Sequence, residues 1–255
     1  MEIISFYYII ISMIDYKEIA DKIKASKYAV AFTGAGISVE SGVPPFRGEN
    51  GLWEKHGSQF AEISYFTRHP KESWHSLKKV FYEPIDNVKP NKAHLVLAEL
   101  EKKGIMRSVI TQNIDNLHQE AGSKIVYELH GTAQYAVCMK CHNKYKIDKK
   151  ILSMDPPTCE NCNSILKPNF VFFGEALPTY DFQSSVEDAQ KCDLFIIIGT
   201  GGEVMPAAQI PHIAKRAGAT IMEINPEPSN FTNSIVDIYI KEKAGVAFTE
   251  IDKYL

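Results

Sequence analysis

Four cysteines, Cys138, Cys141, Cys159 and Cys162, form two C-x-x-C pairs separated by seventeen residues. Each pair can offer two thiolates to one ion from a tight turn, and the stretch between the pairs is long enough for a small hairpin. Tetrahedral zinc held by four sulfurs is the natural product of that spacing. Such an ion keeps no open position for water or substrate, so its role is structural and the chemistry must come from elsewhere. Two disulfides are the competing reading. The chain shows no secretory signal, and C-x-x-C pairs favour metals over bridges.

Other chemistry-bearing residues follow short apolar runs. Gly34-Ala35-Gly36-Ile37-Ser38 comes directly after Tyr28–Thr33. Glycines there let the chain turn tightly and let backbone N–H groups approach a pyrophosphate. A third fingerprint glycine is missing, since Val39 stands in its place. Ser41 to Gly48 then reads SGVPPFRG, a proline-stiffened loop presenting Phe46 and Arg47. Arg47 is one of only four arginines, so it is well placed for an anion beside the glycine turn. Thr111 to His118 reads TQNIDNLH, whose Gln112, Asn113 and Asp115 suit hydroxyls and a carboxamide. Helix capping by Asn113 or Asp115 is the plainer alternative. His130 precedes Gly131 just before the zinc cysteines, and an imidazole there titrates where a general base is useful. His118 reads as a helix residue, and His56, His69, His75, His94, His142 and His212 lack comparable context.

The elements that must position these residues alternate. Tyr28–Thr33, Ser108–Thr111, Leu194–Gly199, Thr220–Ile224 and Val236–Ile240 read as strands covered on both faces. Tyr16–Ser26, Lys92–Lys103, Asp181–Lys191 and Ala207–Ala217 read as helices. The alternation implies an α/β, Rossmann-like, doubly wound parallel sheet. Two stretches interrupt it and together form a smaller zinc-binding and helical domain. The expected division is 13–47, 91–130 and 173–255 for the nucleotide-binding domain, and 48–90 with 131–172 for the small one. Ligands of such sheets bind outside the carboxyl ends of the strands, where Gly199-Thr200-Gly201-Gly202 and Asn225-Pro226 also fall. Residues 1–12 read as an apolar extension too short to span a bilayer. With no targeting signal, the expected compartment is the cytoplasm. A net charge of −3 argues against a dedicated nucleic-acid binder. Cys192 reads as a buried thiol at a helix end or strand edge.

GAGIS…SGVPPFRG, TQNIDNLH, LHG, the four cysteines, KPNFVFFGE, the GT loop before MPAA, and INPEPS occur in an order that resembles the sirtuins, the NAD-dependent protein-lysine deacylases. The resemblance runs from about Tyr16 to the carboxyl end. It implies NAD and an acyl-lysine protein or peptide meeting in a cleft between the two domains. Gly34, Ala35, Gly36 and Ser38 would hold the NAD phosphates, with Phe46 and Arg47 over the nicotinamide ribose and phosphate. Asn113, Ile114 and Asp115 would face the nicotinamide carboxamide, with Gln112 at the ribose. Gly199, Thr200, Gly201, Asn225 and Ala244 would complete the cofactor pocket. His130 would be the general base, with Asn113 and Asp115 as further catalytic residues. The implied reaction joins the acyl oxygen to the anomeric carbon as nicotinamide leaves, then passes the acyl group to the ribose. The peptide would lie as an added strand between Gly174-Glu175 and Gly202-Glu203-Val204. Phe170, Val171 and Phe173 would line the acyl pocket, with Leu77 and Val80 on the small-domain side.

Three departures from the family pattern stand out. Pro45 replaces an aspartate or threonine, Gly201 replaces a common serine, and Leu77 and Val80 offer no cation to an acidic acyl group. Deacetylation is therefore the leading reading. Mono-ADP-ribosyl transfer from the same NAD site is an alternative that product analysis separates. A non-catalytic NAD-sensing zinc ribbon would need a basic, aromatic small-domain face. Lys140, Lys144, Lys146, Lys149 and Lys150 give charge there, as solvated lysine faces commonly do.

Overall fold

The computed structural model describes residues 14–46, 51–84 and 88–255. Arg47 and the extension at residues 1–12 lie outside the described residues. Six strands form one parallel sheet: β1 (Ala29–Thr33), β2 (Met106–Thr111), β3 (Val126–Glu128), β7 (Leu194–Ile198), β8 (Thr220–Ile224) and β9 (Ile238–Ile240), in the order β3-β2-β1-β7-β8-β9. A second, antiparallel sheet contains β4 (Gly131–Cys138), β5 (Lys144–Lys146) and β6 (Leu166–Phe170), with β4 in the middle.

Every residue of β1 and β7 is buried, as expected of strands covered on both faces. Alternate side chains enter different cores. Ala29, Ala31, Leu194, Ile196 and Ile198 pack with Ile23, Leu97, Leu100 and Phe248 of the helices on one face. Val30, Phe32, Phe195 and Ile197 pack with Ala189, Ile210, Ala214 and Phe231 on the other. The small domain has a core of its own, built from Trp74, Leu77, Phe66, Phe81, Phe170 and Phe172. Helices Tyr16–Ala25, Lys92–Lys102 and Thr179–Lys191 fall close to the expected positions. The fourth is shorter than expected, running from Ile210 to Arg216 after a 3-10 turn at Ala207–Gln209. The edge strand β3 is absent from the sequence reading, because three residues are too few to show a period of two. Cys192 is buried at the end of helix Thr179–Lys191, and burial pushes its thiol up to about 12.

Strand order reverses between β1 and β7, and their carboxyl-end turns lock together there. Gly36 N–H donates to the Gly199 carbonyl at 2.8 Å, and Gly34 N–H donates to the Ile198 carbonyl at 3.0 Å. A Cβ on Gly36 would fall 2.6 Å from Gly199 Cα. Gly199 has φ of 61°, and a Cβ there would fall 2.4 Å from Ile37 N. Both glycines are thus required by backbone-to-backbone contact. Gly199→Ala should cost at least about 2 kcal/mol, through the left-handed backbone and the clash together. Urea unfolding reads this directly. A loss below about 0.5 kcal/mol would mean that the two turns are not locked.

Candidate active site and metal centre

The expected residues gather at the carboxyl ends of β1, β2, β7 and β8. Beyond β2, Gln112 Nε2 donates to Thr200 Oγ1 at 3.0 Å, which ties the β2 turn to the β7 turn. Asn113 Nδ2 donates to the Gly34 carbonyl at 3.1 Å and to Ser38 Oγ at 3.2 Å. Ser38 Oγ–H donates to Asp115 Oδ2 at 2.7 Å, and Leu117 N–H donates to Asp115 Oδ1 at 3.0 Å. Burial raises the Asp115 carboxyl, and these two donors pull against that rise. Asn113 Oδ1 is buried without a partner among the described residues, so the fold leaves one strong acceptor for a ligand donor. Ile114, Asn113 and Asp115 line a cavity of about 30 Å³ together with Phe46, Val80 and Phe81.

His130 is half-buried at the foot of β4. Its Nδ1 lies 3.0 Å from the Gln112 carbonyl. A carbonyl only accepts, so Nδ1 carries the proton and Nε2 is left as the basic nitrogen. Burial lowers the His130 pKa below the usual 6.5, and the bond to Gln112 opposes that in part. The imidazole is therefore neutral at neutral pH, as a proton acceptor must be.

The residues expected on the substrate side lie on two loops and the end of β6. Phe173 is exposed, and its N–H and carbonyl pair with Ala61 and Ile63 of the helical insertion at 2.8 and 3.1 Å. Gly174 and Glu175 follow. The Glu175 carboxylate is taken up within the loop: it pairs with Lys167 at 3.0 Å and accepts from Phe172 N–H at 2.8 Å. Lys167 also donates to the Pro168 and Phe170 carbonyls, so this ion pair shapes the loop. Val171 is half-buried in a groove beside Lys167 and Glu175. Phe170 is buried against Phe81 and Phe172 and supports the loop from beneath. Leu77 is wholly within the small-domain core, while Val80 lines the small cavity. Gly201, Gly202, Glu203 and Val204 form the loop after β7. Ala244 opens helix Ala244–Asp252, whose Gly245 N–H donates to Glu40 Oε2 at 2.6 Å; that bond draws it to the glycine turn. Another large surface groove, about 870 Å³, lies at the amino ends of β1 and β2 beside Tyr28, Ile105 and Met106, away from these residues.

Three site-forming residues escaped the sequence reading. His94 and His118 are both buried, 4.8 Å apart between ring centres. His118 Nε2 lies 2.9 Å from Thr33 Oγ1, which donates onward to Thr111, and His94 Nε2 lies 3.5 Å from Ser38 Oγ. These histidines form the polar floor beneath Asn113 and Asp115. Trp53 stacks on Phe46 at 5.4 Å and approaches Phe173 at 5.7 Å, so it joins the proline-stiffened loop to the loop after β6. Its sequence signal was available: an aromatic residue seven positions after Phe46, on the far side of a glycine.

The cysteines converge at the other end of β4. All four Sγ atoms lie within 4.8 Å of one another. A Zn–S bond of about 2.3 Å in a tetrahedron places sulfurs about 3.8 Å apart, so the set fits one zinc. The two knuckles are built alike. His142 N–H donates to the Cys138 carbonyl and Asn163 N–H to the Cys159 carbonyl, and in each turn the donor residue is left-handed. Tyr145 Oη lies 3.1 Å from Cys159 Sγ. The two ends of β4 stand apart: Gly131 pairs with Phe170 and Cys138 with Leu166, about 13 Å apart along β6 at the usual strand rise.

Residues 34–206 match the Sir2 family model. The chain belongs to the Sir2 family. It is 47% identical over 228 residues to NAD-dependent protein deacylase 2 of Pyrobaculum aerophilum, covering 89% of this chain and 90% of that one. It is 43% identical to the NAD-dependent protein deacetylase of Thermotoga maritima, over 82% and 86% of the two chains. Among solved structures, a Sir2 with deacetylated p53 peptide and 3'-O-acetyl ADP-ribose superposes with a TM-score of 0.89 at 38% identity, covering 94% of this chain and 98% of that one. A Sir2 with p53 peptide and NAD+ gives 0.86 at 37%, covering 94% and 98%. Among the described residues of this Sir2 chain, no helix is long and apolar enough to cross a membrane.

Two outcomes follow from the buried groups. Burial pushes His94 down to about 4 from 6.5, and burial with the His94 charge lowers His118 further. The unfolded chain then takes up protons first, so stability is full above pH 6.5 and is lost as pH falls toward 4. Asp115, raised by burial, pulls the other way, so the comparison is with His94→Gln. From pH 7 to pH 5 the wild type should lose about 2 kcal/mol more than that variant in urea unfolding. Equal losses would refute the neutral, buried His94. Separately, Cys138→Ala should lose metal and melting temperature together, because binding free energy in small zinc modules is folding free energy. A variant retaining both would show that zinc is not structural.

Proposed function

We propose that this chain is an NAD-dependent protein-lysine deacetylase that transfers the acyl group to ADP-ribose and releases nicotinamide. The observation that carries the reading is His130, held with Nε2 basic by the Gln112 carbonyl beside the unpartnered Asn113 Oδ1. Relatives named as deacylases and deacetylases, and Sir2 structures with NAD or peptide, support it. Bound NAD supplies an electrophilic anomeric carbon and, once nicotinamide leaves, a ribose hydroxyl to accept the acyl group. Asn113 Oδ1 accepts a carboxamide N–H and so orients the nicotinamide ring, and Asp115 fixes Ser38 and thereby Asn113. His130 Nε2 takes the proton of the attacking ribose hydroxyl. Phe46, Trp53 and Phe173 exclude water, which would otherwise intercept a cationic anomeric centre. The loops at Gly174-Glu175 and Gly202–Val204 receive the peptide as a strand between them.

The same reading assigns 13–47, 91–130 and 173–255 to the NAD-binding domain, and 48–90 with 131–172 to the small domain. The division of the core between two sheets supports it. It also places the chain in the cytoplasm, where a tetrathiolate set stays reduced.

His130→Ala should lower deacetylation by about 10²–10⁴-fold with NAD affinity kept within a few-fold. Mass spectrometry for O-acetyl-ADP-ribose from NAD and an acetyl-lysine peptide measures it. A loss under about threefold would remove His130 from the mechanism. ADP-ribose found on protein, with no O-acetyl-ADP-ribose, would favour the transferase alternative.

A further inference from the structure

Glu223 on β8 is wholly buried and plays no part in the reaction as derived. Its Oε2 accepts from Thr232 Oγ1–H at 2.6 Å, and its Oε1 accepts from Asn225 Nδ2 at 3.4 Å. Each oxygen leads to a different part of the cleft.

Thr232 closes a tight turn. Ser229 N–H donates to Thr232 Oγ1 at 2.8 Å, and Phe231 N–H donates to Ser229 Oγ at 3.0 Å. From this turn Asn230 N–H reaches the Gly201 carbonyl at 3.1 Å, and Asn230 Nδ2 reaches the Gly202 carbonyl at 3.3 Å. The Phe231 ring lies directly under Gly202: a Cβ there would fall 2.5 Å from it, and Gly202 has φ of 72°. The path of Gly201-Gly202 is thus set from below by the 229–232 turn. On the other side, Asn225 Nδ2 donates to the Thr200 carbonyl at 3.1 Å as well as to Glu223. Both acceptors fix the amide orientation, with Nδ2 inward.

We infer that Glu223 is a positioning residue for both substrates, acting through Thr232 on the strand that pairs with the acyl-peptide and through Asn225 on the NAD side. This rests on the reading of Gly202–Val204 as the peptide-pairing loop. A buried carboxylate that accepts from both arms is a rigid hub, because moving either arm leaves an acceptor unpaired in the core.

The arms can be cut separately. Thr232→Val keeps the shape and removes both the donor to Glu223 and the acceptor of Ser229 N–H. It should raise the KM for an acetyl-lysine peptide about tenfold, with kcat and the KM for NAD changed less than about twofold. Thr232→Ser should restore the peptide KM. Glu223→Gln should raise both KM values. Asn230→Ala, an exposed position that the fold tolerates, should raise the peptide KM about threefold, and it decides the matter if Thr232→Val does not fold. Anisotropy of a labelled acetyl-lysine peptide with ADP-ribose present reads the same affinities without turnover. An unchanged peptide KM in Thr232→Val, or in Asn230→Ala where only that variant folds, would overturn the proposal. So would a parallel fall in kcat and both affinities that tracks lost melting temperature, or a failure of Thr232→Ser to rescue. Wild-type peptide binding without turnover would sink the deacetylase reading instead, while the titrations still judge the hub.

Discussion

The contact between the β1 and β7 turns is the constraint on which the cleft depends. Two backbones can meet at the distances seen between Gly36 and Gly199 only when neither carries a side chain. That contact fixes where the helical turn Ala35–Ser41 begins, and so where Ser38 stands. Ser38 in turn fixes Asp115 and Asn113. A misplacement of about 1 Å at the sheet centre would pass through three side chains to the reacting atoms, where such an error can cost about 100-fold.

A second layer of order comes from buried polar groups. Ser38, Asp115, Asn113, His94, His118, Thr33 and Thr111 are all buried, and nearly all their hydrogen bonds are made to one another or to nearby backbone. Satisfied networks of this kind specify one arrangement, since each alternative strands a donor or acceptor in a medium of low polarity. Asn113 Oδ1 and His118 Nδ1 are the two exceptions within it, and of these residues Asn113 lines the small cavity.

Much of this was legible in the chain. The parallel sheet follows from continuous apolar runs such as YAVAFT and LFIII, and the zinc centre from cysteine spacing alone. The glycine turn, Asn113, Asp115 and His130 each gave a weak signal that became specific only in combination. What stayed hidden has a common physical cause. His94 and His118 sit on helices far apart in sequence, and only the fold brings their rings together. Trp53 acts through stacking, which leaves no periodic mark. Glu175 was placed by its backbone beside the peptide; that Lys167 holds its carboxylate within the loop left no mark in the sequence, since the partner is eight residues away and on another element.

β4 joins two sites that do not touch. One end carries Cys138, with Cys141 three residues beyond, and the other begins immediately after His130. The strand is held in register by β5 and β6, and β6 leads directly into the Phe173 loop. Metal occupancy is therefore mechanically in series with both His130 and the Phe173 loop. An agent that strips the ion would act as an inhibitor with no resemblance to either substrate, and saturating NAD or peptide would not compete with it for a shared pocket.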